Sequence, residues 1–317
     1  MRSVFVPPLD RSVSALGFGC ASLGSRIAPA SGLRVLAQAF EMGVTWYDVA
    51  PSYGDGTAEA VLGRFLQGRR DRVVLCTKVG KAPPRGHGLM NRVSPVIRTV
   101  LQSAPGLRGA LRRVRPSAAK LDITPELVAS SLSDSLRRLN TDYVDVLALH
   151  EPTIEEAVDP AVHAALHELL KSGRVRAIAV SSDAATVLAG VLSGGPYTIA
   201  QISGSPFTSD LDALAVAPES PAFKVSFGMF GIGGALSVLK RRLATDPIAR
   251  SRVMDAGYVG PTPEASLLLD YAFARNPHGV VLASMFSGDH LRFGGDGAAE
   301  PLNPLAVALV DDLFAGP

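Results

Sequence analysis

The chain has 317 residues, 47 % of them apolar and 19 % charged, with a formal net charge of +2. That length and apolar content suffice for one large α/β barrel or two smaller domains, and they exclude a disordered chain. Its two cysteines, Cys20 and Cys76, have no metal-type spacing, which excludes a disulfide scaffold and fits a reducing compartment.

In chain order, Ser3 to Val6 and Ser12 to Leu16 read as a short hairpin, and Ala15 to Leu23 as a first core strand. Leu33 to Met42 has the apolar spacing of a helix. The apolar run that follows ends at Asp48. Thr57 is expected to cap the next helix, with Glu59 facing its positive end. Val73 to Thr77 is a strand stopping at Lys78. Thr124-Pro125-Glu126 is a strong helix start, with a capping oxygen, proline at the first position and an acid to meet the dipole. That helix runs to about Leu139, and the next strand, Val144 to Leu149, stops at His150. Ile154 to Lys171 reads as one helix and Val175 to Val180 as a strand leading to Ser181-Ser182, with Asp183 capping a short helix. Tyr197 to Gln201 and Phe223 to Phe227 are strands. Thr262-Pro263-Glu264 opens a helix to about Arg275, and Val280 to Ala283 is the last strand.

Eight strands with helical crossovers, most of them continuous apolar runs, predict a (β/α)8 TIM barrel with an N-terminal β-hairpin, residues 1–317 forming a single domain. Two segments break the rhythm. Residues 79–121, after the third strand, hold nine Lys/Arg (Lys81, Arg85, Arg92, Arg98, Arg108, Arg112, Arg113, Arg115 and Lys120) and no acid. A long basic loop there is expected over the C-terminal barrel face, as a lid for an anionic ligand or as a solvated insertion with an amphipathic helix near 96–101. After the seventh strand comes the run Gly231-Ile232-Gly233-Gly234, which is able to cradle a pyrophosphate on backbone N–H groups or to be a plain loop.

In a barrel, the C-terminal strand ends share one mouth. Asp48, Lys78 and His150 end three successive strands, and Tyr53 follows Asp48 by one turn. A phenol with an ordinary pKa of ~10 is a poor acid at neutral pH unless a cation favours its ionised form. The expected roles follow: Asp48 holds Lys78 charged, Lys78 lowers the pKa of Tyr53, and His150 orients a carbonyl while Tyr53 protonates it. Taken singly, each residue has a plainer reading as a turn cap, an ion-pair partner, a structural histidine or a surface tyrosine. Together, on three successive strands, they predict a site.

These residues carry a resemblance. Leu16-Gly17-Phe18-Gly19-Cys20, Trp46-Tyr47-Asp48 through Tyr53-Gly54, Glu59 with Leu62-Gly63, Thr77-Lys78, the stretch to Leu149-His150-Glu151-Pro152, and Gly173 to Ile178 together resemble the aldo-keto reductase family over nearly the whole chain. The resemblance implies Tyr53 as general acid/base, with Asp48, Lys78 and His150 completing the tetrad. It implies that Ser181, Ser182 (where asparagine is usual) and Gln201 contact the nicotinamide amide and that Phe227 stacks on the ring. Gly228, Phe230 and Gly231 stand where the pyrophosphate passes, and Gly228-Met229-Phe230 departs from the family's usual Ser-Pro-Leu. Ser284, Ser287, His290 and Arg292 stand near the phosphate clamp, where Asp289 would repel a 2′-phosphate. NADP(H) is favoured on family habit and NAD(H) is possible. The implied activity is reduction of an aldehyde or ketone, or oxidation of the corresponding alcohol or sugar, without a metal. The alternatives are a Schiff-base lyase using Lys78 and a non-catalytic nicotinamide-binding regulatory subunit.

A Rossmann reading of Gly17-Phe18-Gly19 fails because Ser22 stands where the third glycine belongs. His163 and His167 lie one turn apart but lack the glutamate of a zinc-protease motif, and a solvated helix face is expected. No apolar run reaches the ~18 residues of a membrane span, and Pro7, Pro8 and Asp10 make a poor signal peptide. The basic segment lacks interleaved aromatics, so no nucleic-acid partner is expected. The expectation is a soluble cytoplasmic enzyme with a small-molecule carbonyl or sugar partner. Trp46 and Phe207 are candidate walls of the substrate pocket. Oligomeric state is not readable.

Overall fold

The computed structural model describes residues 1–83, 118–285 and 287–315. Most of the 79–121 segment, including the helix expected near 96–101, lies outside the described residues, as does Phe286. Strand β1 (Ser3–Val6) pairs antiparallel with β2 (Arg11–Ser14), forming the predicted hairpin. Eight parallel strands then close into a barrel: β3 (Leu16–Gly19), β4 (Trp46–Asp48), β5 (Val74–Val79), β8 (Val144–His150), β9 (Val175–Ser181), β10 (Tyr197–Ser203), β11 (Phe223–Phe227) and β12 (Val280–Ala283), with β12 returning to β3. Between β5 and β8, two-residue strands β6 (Lys81–Ala82) and β7 (Ala119–Lys120) pair antiparallel. They join the two ends of the long segment at the mouth side of the third barrel strand.

The strands form where they do because both of their faces find apolar partners. All residues of β5 and of β8 are buried, matching the continuous apolar runs of the sequence. The inward face of β4 is Trp46 and Asp48. Tyr47 points outward, stacks 6.0 Å from Phe18 and 5.1 Å from Phe65, and donates its hydroxyl to Val44 O at 3.2 Å. Trp46 stacks on Phe223 inside the barrel, well below the mouth, and so is not the pocket wall expected of it. Phe207 is half exposed and packs edge-on against Phe314, again away from the cavity.

Helices α1 (Pro29–Glu41), α2 (Ala58–Leu66), α3 (Pro125–Leu139), α4 (Ile154–Val158), α5 (Pro160–Lys171), α6 (Ala184–Leu192) and α7 (Asp210–Val216) follow the strands around the barrel. The segment read as one helix from Ile154 is two. Pro160 disfavours helical geometry at Asp159, which instead caps α5 by accepting from Ala161 N at 2.8 Å. Thr124 caps α3 as expected. Thr57 does not cap α2; its hydroxyl donates to Gly54 O at 2.7 Å. His163 is buried, with Nε2 2.8 Å from Ala157 O, so only His167 belongs to a solvated face.

Helices α8 (Ala235–Thr245), α9 (Pro247–Asp255), α10 (Pro263–Arg275) and α12 (Leu305–Ala315) bury a second apolar cluster, including Leu239, Leu268, Tyr271 and Val310, outside the barrel wall. Helix α11 (Gly288–Gly297) follows β12. No helix among the described residues is long and apolar enough to cross a membrane.

Candidate active site

The strand register places the polar side chains. Gly19, Asp48 and Cys76 are paired neighbours across β3, β4 and β5, and Lys78 lies two residues beyond Cys76 on the same inward face. Lys78 pairs with Ala148, so His150, two residues on, faces inward one step nearer the mouth. Lys78 Nζ donates to Asp48 Oδ2 at 2.5 Å and to Gln201 Oε1 at 2.9 Å, and Gln201 Nε2 donates to the same Asp48 oxygen at 2.7 Å. All three residues are buried. A cation and an anion can stay ionised there only because each has its counter-charge and a further polar contact.

Tyr53 follows in a tight turn. Gly54, with φ of 58°, is required at that turn, because an added Cβ would sit 1.8 Å from Leu23 O. Lys78 Nζ lies 5.7 Å from the centre of the Tyr53 ring, and the His150 ring meets that ring edge-on at 5.9 Å between centres. Burial pushes the Tyr53 hydroxyl above its ordinary value, while the Lys78 cation pulls the other way. The expected lowering by Lys78 is therefore present as a contribution but is outweighed, and the phenol is protonated in the ligand-free site. Burial disfavours the Lys78 ammonium, yet the Asp48 carboxylate outweighs it and its pKa is raised. Burial, then the positive charges of Lys78, Lys81 and Lys120, lower His150 from 6.5 to about 2, so it is neutral. Its Nδ1 is buried without a hydrogen-bond partner among the described residues.

This cluster forms the floor of a cavity of about 1100 Å³ that runs on past the ends of β11 and β12. Of the residues expected to hold a cofactor, Ser181, Gln201, Phe227, Gly228, Phe230, Gly231, Ser284 and His290 line it, together with Phe293. Ser182, Ser287 and Arg292 do not. Ser287 accepts from His290 N at 3.2 Å and caps α11, and the largely exposed Arg292 pairs with Asp289. Gln201 contributes twice, to the wall and to the buried ion pair. The donor set fits a nicotinamide dinucleotide. The cavity exceeds the ~300–1,000 Å³ of most small-ligand sites, Phe227 offers a ring to stack on, and Ser181 and Gln201 bring polar groups of amide-binding type beside it. Among the described residues no cluster of His, Cys, Asp or Glu could hold a metal ion.

Two buried acids support the floor from behind, and the roles that burial gives them went unread in the sequence. Glu59 of α2 accepts from Thr77 Oγ1 at 2.7 Å and from Arg138 Nε at 2.6 Å, tying α2 and α3 to the residue before Lys78. Asp145 of β8 accepts from Leu75 N at 2.9 Å and pairs with Arg70 at 2.8 Å and Arg176 at 3.0 Å. The available signal was an acid inside an apolar strand, with no hint of its distant partners.

The chain has counterparts among known proteins. The model of the aldo/keto reductase family matches residues 15–213. The chain belongs to that family. It is 26 % identical over 208 residues to the aldo-keto reductase yakc of Schizosaccharomyces pombe, named with NADP(+), covering 63 % of this chain and 52 % of that one. It is 30 % identical over 203 residues to a D-threo-aldose 1-dehydrogenase from a Pseudomonas species, covering 61 % and 57 %. The chain thus spans little more than half the length of these curated relatives. An aldo-keto reductase of Bacillus halodurans has the same fold, with a TM-score of 0.71 at 24 % identity over 99 % of this chain and 96 % of that one.

Proposed function

We propose that this chain is an NAD(P)H-dependent oxidoreductase that reduces an aldehyde or ketone, or oxidises the corresponding alcohol or sugar, with Tyr53 as general acid/base. The observation that carries this reading is the buried Lys78 ammonium, fixed by Asp48 and Gln201 beside the Tyr53 ring and the neutral His150. The bound nicotinamide would supply a hydride to the carbonyl carbon, or take one from the alcohol carbon. Phe227, Ser181 and Gln201 would hold its ring and amide, and Gly228, Phe230, Gly231, Ser284 and His290 would line the rest.

In reduction, Tyr53 gives its hydroxyl proton to the carbonyl oxygen, and the Lys78 cation stabilises the phenolate left behind. In oxidation the phenolate takes the proton from the substrate hydroxyl. His150 is neutral through the working range, so it orients the substrate oxygen by a hydrogen bond and adds no charge. Asp48 keeps Lys78 protonated. That also weighs against the Schiff-base reading, which needs a neutral lysine.

The test is to titrate the pure protein with NADPH and NADH by nicotinamide fluorescence, then add a panel of aldehydes, ketones and sugars. Turnover supports the proposal, and the two titrations decide between NADP(H), favoured by family habit, and NAD(H). Tight binding without turnover of any compound would make the protein a nicotinamide-binding regulatory subunit. No binding, with borohydride trapping of a carbonyl compound on Lys78, would make it a lyase.

A further inference from the structure

Among the described residues, most charged groups around the cavity are accounted for. Lys78 is bound to Asp48, Lys81 pairs with Glu151, and Arg292 pairs with Asp289. Asp55, on the same rim, has an interaction of its own. Arg26 also lines the cavity, and its guanidinium has no hydrogen bond or ion pair among the described residues.

Arg26 is not on a loose excursion. The segment after β3, expected to continue as strand to Leu23, closes instead into a tight loop. Arg26 N and Ile27 N donate to Ser22 O at 3.0 and 3.2 Å, and Gly24 N donates to Ile27 O at 2.9 Å. The loop is clamped to the turn that carries Tyr53, because Gly54 N donates to Ala21 O at 3.2 Å and Leu23 O fills the space beside Gly54. Ser22 and Ser52 also line the cavity, and Ser22 is buried. A hydrogen-bonded loop therefore carries an exposed guanidinium, with no partner among the described residues, on the rim of the same cavity as the phenol.

We propose that Arg26 makes this site selective for substrates that carry an anionic oxygen group, a carboxylate or a phosphate, away from the reacting carbon. This rests on the oxidoreductase reading above. A guanidinium presents a planar fork of donors that matches either group bidentately, and such charge-assisted pairs strengthen as a filled cavity loses water. With Lys78 and Lys81 paired, Arg26 is the cation among the described cavity residues left to meet an anionic substrate, and it draws anions to the mouth before contact.

The test compares matched substrates on the full chain: succinic semialdehyde against butanal, and glyceraldehyde 3-phosphate against glyceraldehyde. Wild type is expected to favour one anionic member by about tenfold or more in kcat/KM, as a hydrogen-bonded charge pair allows. Whether the preference falls on the carboxylate or the phosphate pair identifies the group. Arg26→Gln should bring the ratio toward one, mainly through KM, and Arg26→Lys should keep part of it. A wild-type ratio near or below one overturns the proposal. So does an Arg26→Gln variant that keeps the wild-type ratio, or one whose main defect is weaker NADPH binding. Should wild type turn over no carbonyl compound, the oxidoreductase reading fails on its own. Calorimetric titration with 4-hydroxybutyrate and glycerol 3-phosphate then decides about Arg26: binding lost in Arg26→Gln upholds the anion site, and equal or absent binding in both proteins rejects it.

Discussion

The two walls of the cavity are built on different principles. Where β4, β5 and β8 end, the important groups are buried side chains held by other side chains: Lys78 by Asp48 and Gln201, and the preceding Thr77 by Glu59, itself held by Arg138. Where β11 and β12 end, the wall is Phe227, Gly228, Phe230 and Gly231 facing Ser284, His290 and Phe293, with the formal charges of Asp289 and Arg292 on the exposed α11. On the proposed reading this contrast makes sense: proton transfer needs a fixed charge in a dry place, and in the first wall the buried Lys78, Asp48 and Glu59 each have a partner. Holding a flat ring and an extended ligand needs shape, which apolar rings and close-approaching backbone provide. Variants of the first wall should therefore affect rate and stability strongly, and variants of the second should affect binding mildly.

The largest effect is expected from Tyr53→Phe, which keeps the ring against His150 and removes only the hydroxyl. Reduction should fall about a thousandfold or more in kcat, within the range for losing a general acid, while the dissociation constant for NADPH by fluorescence stays nearly unchanged. Turnover at the wild-type rate would show that Tyr53 is not the acid. Next comes Lys78→Met. It leaves the Asp48 carboxylate buried without its cation, at a cost of about 3–5 kcal/mol in urea unfolding. The double variant Asp48→Asn/Lys78→Met should recover much of that stability but none of the activity. A Lys78→Met protein as stable as wild type would show that the two charges are not mutually dependent.

The same contrast explains what could be read before folding. Asp48, Lys78 and His150 each end an apolar run, so a barrel with a shared mouth brings them together whatever the details of packing. Gln201 was legible as a strand-end polar residue, but its two hydrogen bonds to the Asp48–Lys78 pair depend on a distance across the barrel interior that no local pattern encodes. Glu59 looked like an ordinary first-turn acid, since its partners Thr77 and Arg138 lie 18 and 79 residues away in the chain. The second wall was harder. Ser287 and Arg292 looked available to a ligand, yet one caps α11 and the other pairs one helical turn away with Asp289, both local habits of helix starts. Helices α7, α9, α11 and α12 have no counterpart in the sequence reading, and α9 and α12 serve an apolar cluster outside the strand–helix alternation. Arg26 gave no signal at all, for its importance comes from the pairing of its neighbours.

A smaller effect should appear with pH. His150 titrates near 6.5 when unfolded and near 2 when folded, held down by burial and by the Lys78, Lys81 and Lys120 charges. Below 6.5 the unfolded chain takes up a proton that the folded chain refuses. The stability due to this residue is complete above 6.5 and is lost as pH falls toward 2, at roughly 1.4 kcal/mol per pH unit at most. Urea midpoints measured from pH 7 to 5 should decline in wild type and decline less in His150→Gln, the difference being the part due to this residue. Equal slopes would mean that His150 takes up its proton in the folded protein as readily as in the unfolded one, and that the floor is wetter than its burial implies.

The mildest prediction probes the second wall. Phe227→Ala should weaken NADPH binding by about fivefold, roughly 1 kcal/mol, the scale of one aromatic stacking contact. Phe227→Tyr should restore it, because the ring stacks and the hydroxyl is incidental. Neither change should alter the maximal rate as Tyr53→Phe does, since Phe227, at the end of β11, has no proton to transfer. If Phe227→Ala binds NADPH as wild type does, the stacking partner is another ring of that wall. Phe230 and Phe293 both line the cavity, and the same substitution at each would find it. If Phe227→Ala instead abolishes turnover with binding intact, the two walls are not separable, because the ring would then be positioning the reacting carbon against Tyr53.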